Sequence, residues 1–296
     1  MALMDHVFEL EGKSDEERKE TILKILEEKR YEYELEKFNF KGEEGSNILL
    51  EVGSGDKEIL LISHYDSFEG SPGANDDASA IAVSLDVYRR LKEYKEKGLL
   101  AGKVRIIFFG KEEPTQNNPK GRAGSKVYVE EHKDELSKVI AVLNLELCGA
   151  GDMIGIWPVT NEDKESKVLD VIKKVLDKVK IYHETAGKLP SFYADYESFK
   201  DAGFADAFCL TAVKREEKDN LRLYAESLPI EIGVRNFLGI FFRKFKVRMP
   251  ELLMHYHNSE DKSSHLTESS LRMMSDAVFN VIVNLDKKFS KRIEEF

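Results

Sequence analysis

The sequence predicts an α/β fold: a mixed, mostly parallel central sheet flanked by helices. Short apolar runs bounded by turn residues recur along the chain and read as buried strands. Longer segments with helical periodicity alternate with them, the order that builds a sheet covered on both faces. Neither an internal repeat nor a low-complexity linker interrupts the 296 residues, so residues 1–296 read as one domain.

Residues 15–30 form an amphipathic helix pattern, with Ile22, Leu23, Ile25 and Leu26 toward one side. Residues 31–40 alternate polar and apolar and read as a half-exposed strand. Strands follow at 47–52 and 58–63, and the turn Gly53-Ser54-Gly55-Asp56 suits a hairpin between them. Then come a helix from Asp77, a strand at 104–109, a helix from Ser125 and a strand at 139–145. A strand at 153–157, a helix over 163–179, a short helix at 196–202 and a strand at 207–213 continue the alternation. The last helix spans 268–289. Residues 214–254 break the rhythm as a helical insertion, charged at first and amphipathic over 229–245. That stretch suits a helix packed on the sheet; the alternative is a cap or a self-association surface that would make a homo-oligomer.

Composition narrows the function. The net charge is −10 with no long basic tract, so a nucleic-acid partner has no electrostatic footprint. Charged residues make up 34% of the chain, above the average of about 25%, and Lys and Glu dominate. Cys148 and Cys209 lie in apolar segments and read as buried, reduced thiols. Residues 1–10 are too polar for a signal peptide, and no apolar run reaches the ~18 residues of a membrane span. The expectation is a cytoplasmic protein without a membrane partner.

The chemistry gathers at strand ends. His64-Tyr65-Asp66 closes the run 59–62, and Asn75-Asp76-Asp77 follows just before a helix. Glu112-Glu113 follows the strand at 104–109, and Glu146 follows that at 139–145. His255 and His257 come late in the chain. Each feature alone has an ordinary explanation: an Asp pair before a helix caps it, and a Glu pair is usually a solvated loop. Together they converge on one sheet edge if the strands are parallel. So many carboxylates in one place repel one another, and a divalent cation is the natural partner. A His with oxygen ligands suits zinc, and two ions account for the set better than one.

These segments also resemble a known family. Ile62-Ser63-His64-Tyr65-Asp66-Ser67 with Gly73-Ala74-Asn75-Asp76-Asp77-Ala78-Ser79 is similar to the zinc exopeptidase superfamily of bacterial leucyl aminopeptidase, glutamate carboxypeptidase II and glutaminyl cyclase. Phe108-Phe109-Gly110-Lys111-Glu112-Glu113 with Gly124-Ser125 resembles its second motif, Asn144-Leu145-Glu146 its third, and His257-Asn258-Ser259-Glu260-Asp261 its last. The resemblance covers about residues 45–290 and implies the zinc exopeptidase fold with a pair of zinc ions. It implies that His64 and Glu146 bind one ion, Glu113 and His257 the other, and that Asp76 bridges them. It further implies Glu112 as general base, Asp66 as the partner that holds the His64 imidazole, and a cis Asp76–Asp77 bond. His257 is preferred to His255 because Asp261 stands four residues after it. Ala194-Asp195-Tyr196 resembles a Ser-Asp-His segment with Tyr196 in place of the His, which makes Asp195 a weaker candidate for substrate binding. Glu146 stands where many aminopeptidases carry Asp.

The function implied is a metal-dependent aminopeptidase that hydrolyses the N-terminal bond of a peptide substrate. A glutaminyl cyclase-like acyltransferase and another exopeptidase or amidohydrolase, such as a carboxypeptidase, are the competing enzymes. Arg122 and the basic residues of 214–248 are candidates for a carboxylate-binding group in the latter. A non-catalytic scaffold is the competing reading from a different class. Residues 114–122 form a loop that either shapes a substrate pocket or is a surface excursion.

Overall fold

A computed structural model describes residues 2–189, 192–226 and 248–290. The chain starts with α1 (Leu3–Leu10) and α2 (Asp15–Glu28), then β1 (Glu34–Phe40), β2 (Glu43–Gly53) and β3 (Glu58–His64). Next come α3 (Ser79–Glu96), β4 (Lys103–Phe109), α4 (Ala123–Glu131), β5 (Val139–Leu145) and β6 (Met153–Trp157). They are followed by α5 (Lys167–Lys178), β7 (His183–Thr185), α6 (Tyr196–Asp201), β8 (Ala207–Val213) and α7 (Lys218–Glu226). The last described helix is α8 (Glu268–Phe289). Ser14 caps α2 by a capping box with Glu17, and Thr267 caps α8 by accepting the Ser270 N–H.

Among the described residues eight strands form one sheet in the order β1-β2-β4-β3-β5-β8-β6-β7. The middle run β4-β3-β5-β8 is parallel, while β1-β2, β2-β4 and β8-β6 are antiparallel. β3 and β8 are buried along their whole lengths, as parallel strands covered on both faces must be. Side-chain alternation divides the core into two layers. Ile59, Leu61, Ile106 and Phe108 pack with α1, α2, α3, α5 and α8 on one face. Leu60, Ile62, Ile107 and Phe109 meet Tyr128, Trp157 and Phe199 on the other. Each fully buried side chain of this kind contributes roughly 1.5–3 kcal/mol.

The hairpin expected at residues 53–56 does not form, because β4 lies between β2 and β3 and pairs with both. The short connection instead crosses the backbone entering β4. A Cβ on Gly53 would stand 2.2 Å from the Gly102 carbonyl oxygen, and one on Gly55 2.3 Å from that of Ala101. The two glycines therefore serve a close backbone crossing, which leaves the same sequence signal as a hairpin turn. The helix expected from Asp77 starts at Ser79 instead, after an irregular turn over Ala74–Ala78. Within the expected 214–254 insertion α7 is helical, and the 229–245 self-association surface lies outside the described residues. Among the described residues no helix is long and apolar enough to cross a membrane.

Candidate metal centre

Parallel pairing brings the predicted strand ends together. His64 ends β3 opposite Phe109 of β4, so Glu112 and Glu113 follow on the neighbouring strand. Glu146 follows β5 on the other side. The turn Ala74–Ala78 carries Asp76 beneath them, and the Asp76–Asp77 bond is cis, as expected.

Asp76 is the centre of the cluster. Its Oδ1 lies 3.1 Å from His64 Nε2, and its Oδ2 lies 3.5 Å from His257 Nε2. Glu146 Oε2 is 3.5 Å from His64 Nε2, and Glu113 Oε2 is 3.0 Å from His257 Nε2. Two groups, His64–Asp76–Glu146 and Asp76–Glu113–His257, thus share one carboxylate, and each could hold a metal ion. A third, His64–Glu112–Glu113, overlaps both. The predicted ligands all come together.

The surrounding residues fix these donors. His64 Nδ1 lies 3.1 Å from the Asp66 carbonyl oxygen and 3.5 Å from Asp66 Oδ1, which accepts the Glu112 N–H, while Oδ2 accepts the Glu113 N–H. Asn144 donates to Glu146 Oε1 and accepts the N–H of Tyr196, next to Asp195. Asp261 accepts the backbone N–H groups of Asn75 and Asp76. Phe68 stacks on the His257 ring at 4.2 Å and Tyr256 lies against it at 3.6 Å. His257 sits in a turn, at φ +59°. His255 stacks on His265 instead.

The donor set fits a cation. Glu112, Glu113, Glu146, Asp66, Asp76, Asp77, Asp195 and Asp261 are all buried. His257 Nε2, both oxygens of Glu113 and Asp77 Oδ1 are buried without an aligned hydrogen bond. Such groups cost free energy unless charge compensates them. Burial pushes the carboxyls of Glu113 and Asp195 up to about 7 and that of Glu112 well above the usual range. Burial also opposes protonation of His64, but Glu146, Asp66 and Asp76 outweigh it and raise the imidazole. Carboxylates and imidazoles held this close, with proton affinities moved in this direction, make a donor set suited to a divalent cation.

Asp195 lies at the start of α6, fully buried, and neither oxygen has a well-formed hydrogen bond, the Ser125 hydroxyl adjoining. Arg122, weighed above as a carboxylate-binding group, is occupied by Glu197 at 3.1 Å. The loop 114–117 lines an open cleft of about 970 Å³ that also reaches Asp66, Phe68 and Glu113. Sequence reasoning gave no role to Arg18, Phe68 or Asn144. Asn144 belongs to the Asn144-Leu145-Glu146 motif, but Arg18 and Phe68 carry no local signal.

Residues 47–282 match peptidase family M28. The chain is 24% identical over 186 residues to a probable leucine aminopeptidase of Arthroderma otae, covering 60% of this chain and 50% of that protein. It thus spans about half the length of the curated relatives it matches first. Its fold is similar to a zinc aminopeptidase of Bacillus subtilis, with TM-score 0.60 and 20% identity over 87% of this chain and 53% of the other. It is likewise similar to a glutaminyl cyclase of Porphyromonas gingivalis, with TM-score 0.66 and 14% identity over 97% and 95% of the two chains. The motifs at the strand ends and the match over most of the sequence agree: the chain belongs to peptidase family M28.

Proposed function

We propose that this protein is a zinc-dependent aminopeptidase with two metal ions, acting on peptides that carry a free α-amine. One observation carries the reading: Asp76 presents one oxygen to His64 and the other to His257. His64, Asp76 and Glu146 would hold one ion, and Asp76, Glu113 and His257 the other. Zinc there would acidify a water toward a pKa of ~7 and polarise the scissile carbonyl. Glu112 has no place in either set, and its carboxyl is raised by burial, as suits a group that takes a proton from the attacking water and returns it to the leaving amine. Asp66 keeps the His64 ring oriented and holds the backbone of Glu112 in place. Asp195, buried and poorly partnered, supplies negative charge for the substrate's ammonium group. Because the eight described strands form one sheet, we read the catalytic unit as a single domain.

The test compares aminoacyl amides and short peptides with their N-acetylated forms, before and after chelation. Acetylation removes the charge that the acidic site recognises, and binding energy that orients the scissile bond goes with it. Cleavage of the free-amine form alone, abolished by chelation and restored by zinc, is the expected result. Equal cleavage of both forms would promote a carboxypeptidase or amidohydrolase. Ammonia release from N-terminal glutamine without hydrolysis would promote the cyclase.

A further inference from the structure

Residues 3–28 lie outside the stretch that matches the family, yet α2 reaches the loop between His64 and Asp76. Arg18 is fully buried, a rare state for an arginine without an anionic partner in contact. Its guanidinium grips backbone instead. Nη1 donates to the Tyr65 carbonyl at 3.3 Å, and Nη2 donates to Pro72 at 3.0 Å and Gly73 at 2.6 Å. These carbonyls flank the loop between His64 and Asp76, so one rigid fork ties its two ends together. Asp15, one turn earlier on α2, accepts the Ser67 N–H and pairs with Lys111, which precedes Glu112.

The loop is held from both sides. Its carbonyl groups face Arg18, while the N–H groups of Asn75 and Asp76 donate to Asp261. Gly73 shows how tight the fit is. At φ +64° it lies in the left-handed region, and a Cβ there would stand 2.3 Å from Arg18 Nη2. A side chain at this position would crowd the guanidinium and, less closely, Ser67 Cβ at 2.8 Å. Asp76, Asp66 and Asp261 also lie within electrostatic reach of Arg18, so the strut brings a fixed positive charge to the acidic centre.

We propose that Arg18 is a positioning residue: by fixing the two ends of the His64–Asp76 loop it places Asp66 and Asp76 and so sets the affinity of the centre for zinc. The inference rests on the metal-centre reading above. A lysine keeps the charge but is a point donor that cannot span carbonyls at both ends of the loop. A residue that orients metal ligands from behind typically contributes 10–100-fold in affinity.

The experiment titrates the full chain, stripped of metal, with zinc alone against a chromophoric chelator. It compares the unsubstituted protein, R18K and G73A, with circular dichroism to establish folding. The expected result is folded R18K and G73A proteins that bind zinc about 10–100-fold more weakly. A folded R18K with unchanged zinc affinity overturns the role of Arg18 while leaving the metal centre standing. Failure of the unsubstituted protein to bind zinc overturns the metal centre, and this inference with it. If R18K does not fold, G73A decides by the same criterion. Failure of both to fold even with excess zinc assigns Arg18 a purely structural role and also overturns the proposal.

Discussion

Asp66 and Glu112 are joined across the strand ends: Asp66 Oδ1 accepts the Glu112 N–H at 3.1 Å. The other oxygen accepts the Glu113 N–H at 3.0 Å, so one carboxylate fixes the backbone of both glutamates and also approaches the His64 ring. An amide of the same shape offers one acceptor and one N–H₂ group. Asp66→Asn therefore keeps only one of the two backbone bonds and opposes a donor to the other. Expected losses are about 10–100-fold in zinc affinity, measured by chelator competition, with a parallel fall in activity. Unchanged affinity would show that the ligands hold their places without Asp66.

Glu112→Gln separates a proton carrier from a ligand. The substitution preserves shape and removes the basic oxygen. Zinc content should stay at the unsubstituted level while turnover falls by ~10²–10⁴, the usual contribution of a positioned general base. Metal analysis beside a kcat measurement decides it, and a parallel collapse of zinc content would make Glu112 a ligand.

Much of this site was legible because parallel strands put their C-terminal ends on one edge. His64, Glu113 and Glu146 each follow an apolar run, and β4, β3 and β5 are in fact adjacent and parallel. The antiparallel placement of β2 beside β4 was not legible. The glycines at 53 and 55 give the same local signal for a hairpin and for a backbone crossing, and only the position of Gly102 tells them apart. β7 was missed because three residues leave no period to read. Arg18 could not be assigned from sequence, since its partners are backbone carbonyls 47 to 55 residues away that carry no side-chain signature.

His257 and His255 differ in what surrounds them. The His257 ring is sandwiched between Phe68 and Tyr256 with Nε2 beside Asp76 and Glu113, whereas His255 stacks on His265. On the proposed two-ion reading, His257→Ala should remove a ligand and lose one of the two zinc ions at micromolar free zinc. His255→Ala should retain both, as read by equilibrium dialysis with metal analysis. Equal losses in the two variants would shift the assignment by two residues.

Asp195 gives the metal-free protein a pH signature. Burial pushes its carboxyl from an ordinary 3.8 up to about 7. The folded state thus holds the proton more tightly than the unfolded state, and the stability gained by protonation is fully present below pH ~4. It is lost progressively as pH rises from ~4 to ~7 and stays lost above, because ionisation in the fold leaves a buried charge without a counter-ion. Asp195→Asn cannot ionise. Measured on metal-free protein by thermal melting, it should match the unsubstituted protein near pH 4 and melt higher at pH 8. Its Tm should therefore fall less steeply across that range. A residual slope should remain, because Glu113 and Asp261 are also pushed up to about 7 by burial. Adding zinc should flatten both curves, since a cation favours the ionised carboxylates. Parallel curves for the two metal-free proteins would mean that Asp195 carries its charge in the fold without penalty, and the proposal that it meets the substrate's ammonium group would be lost.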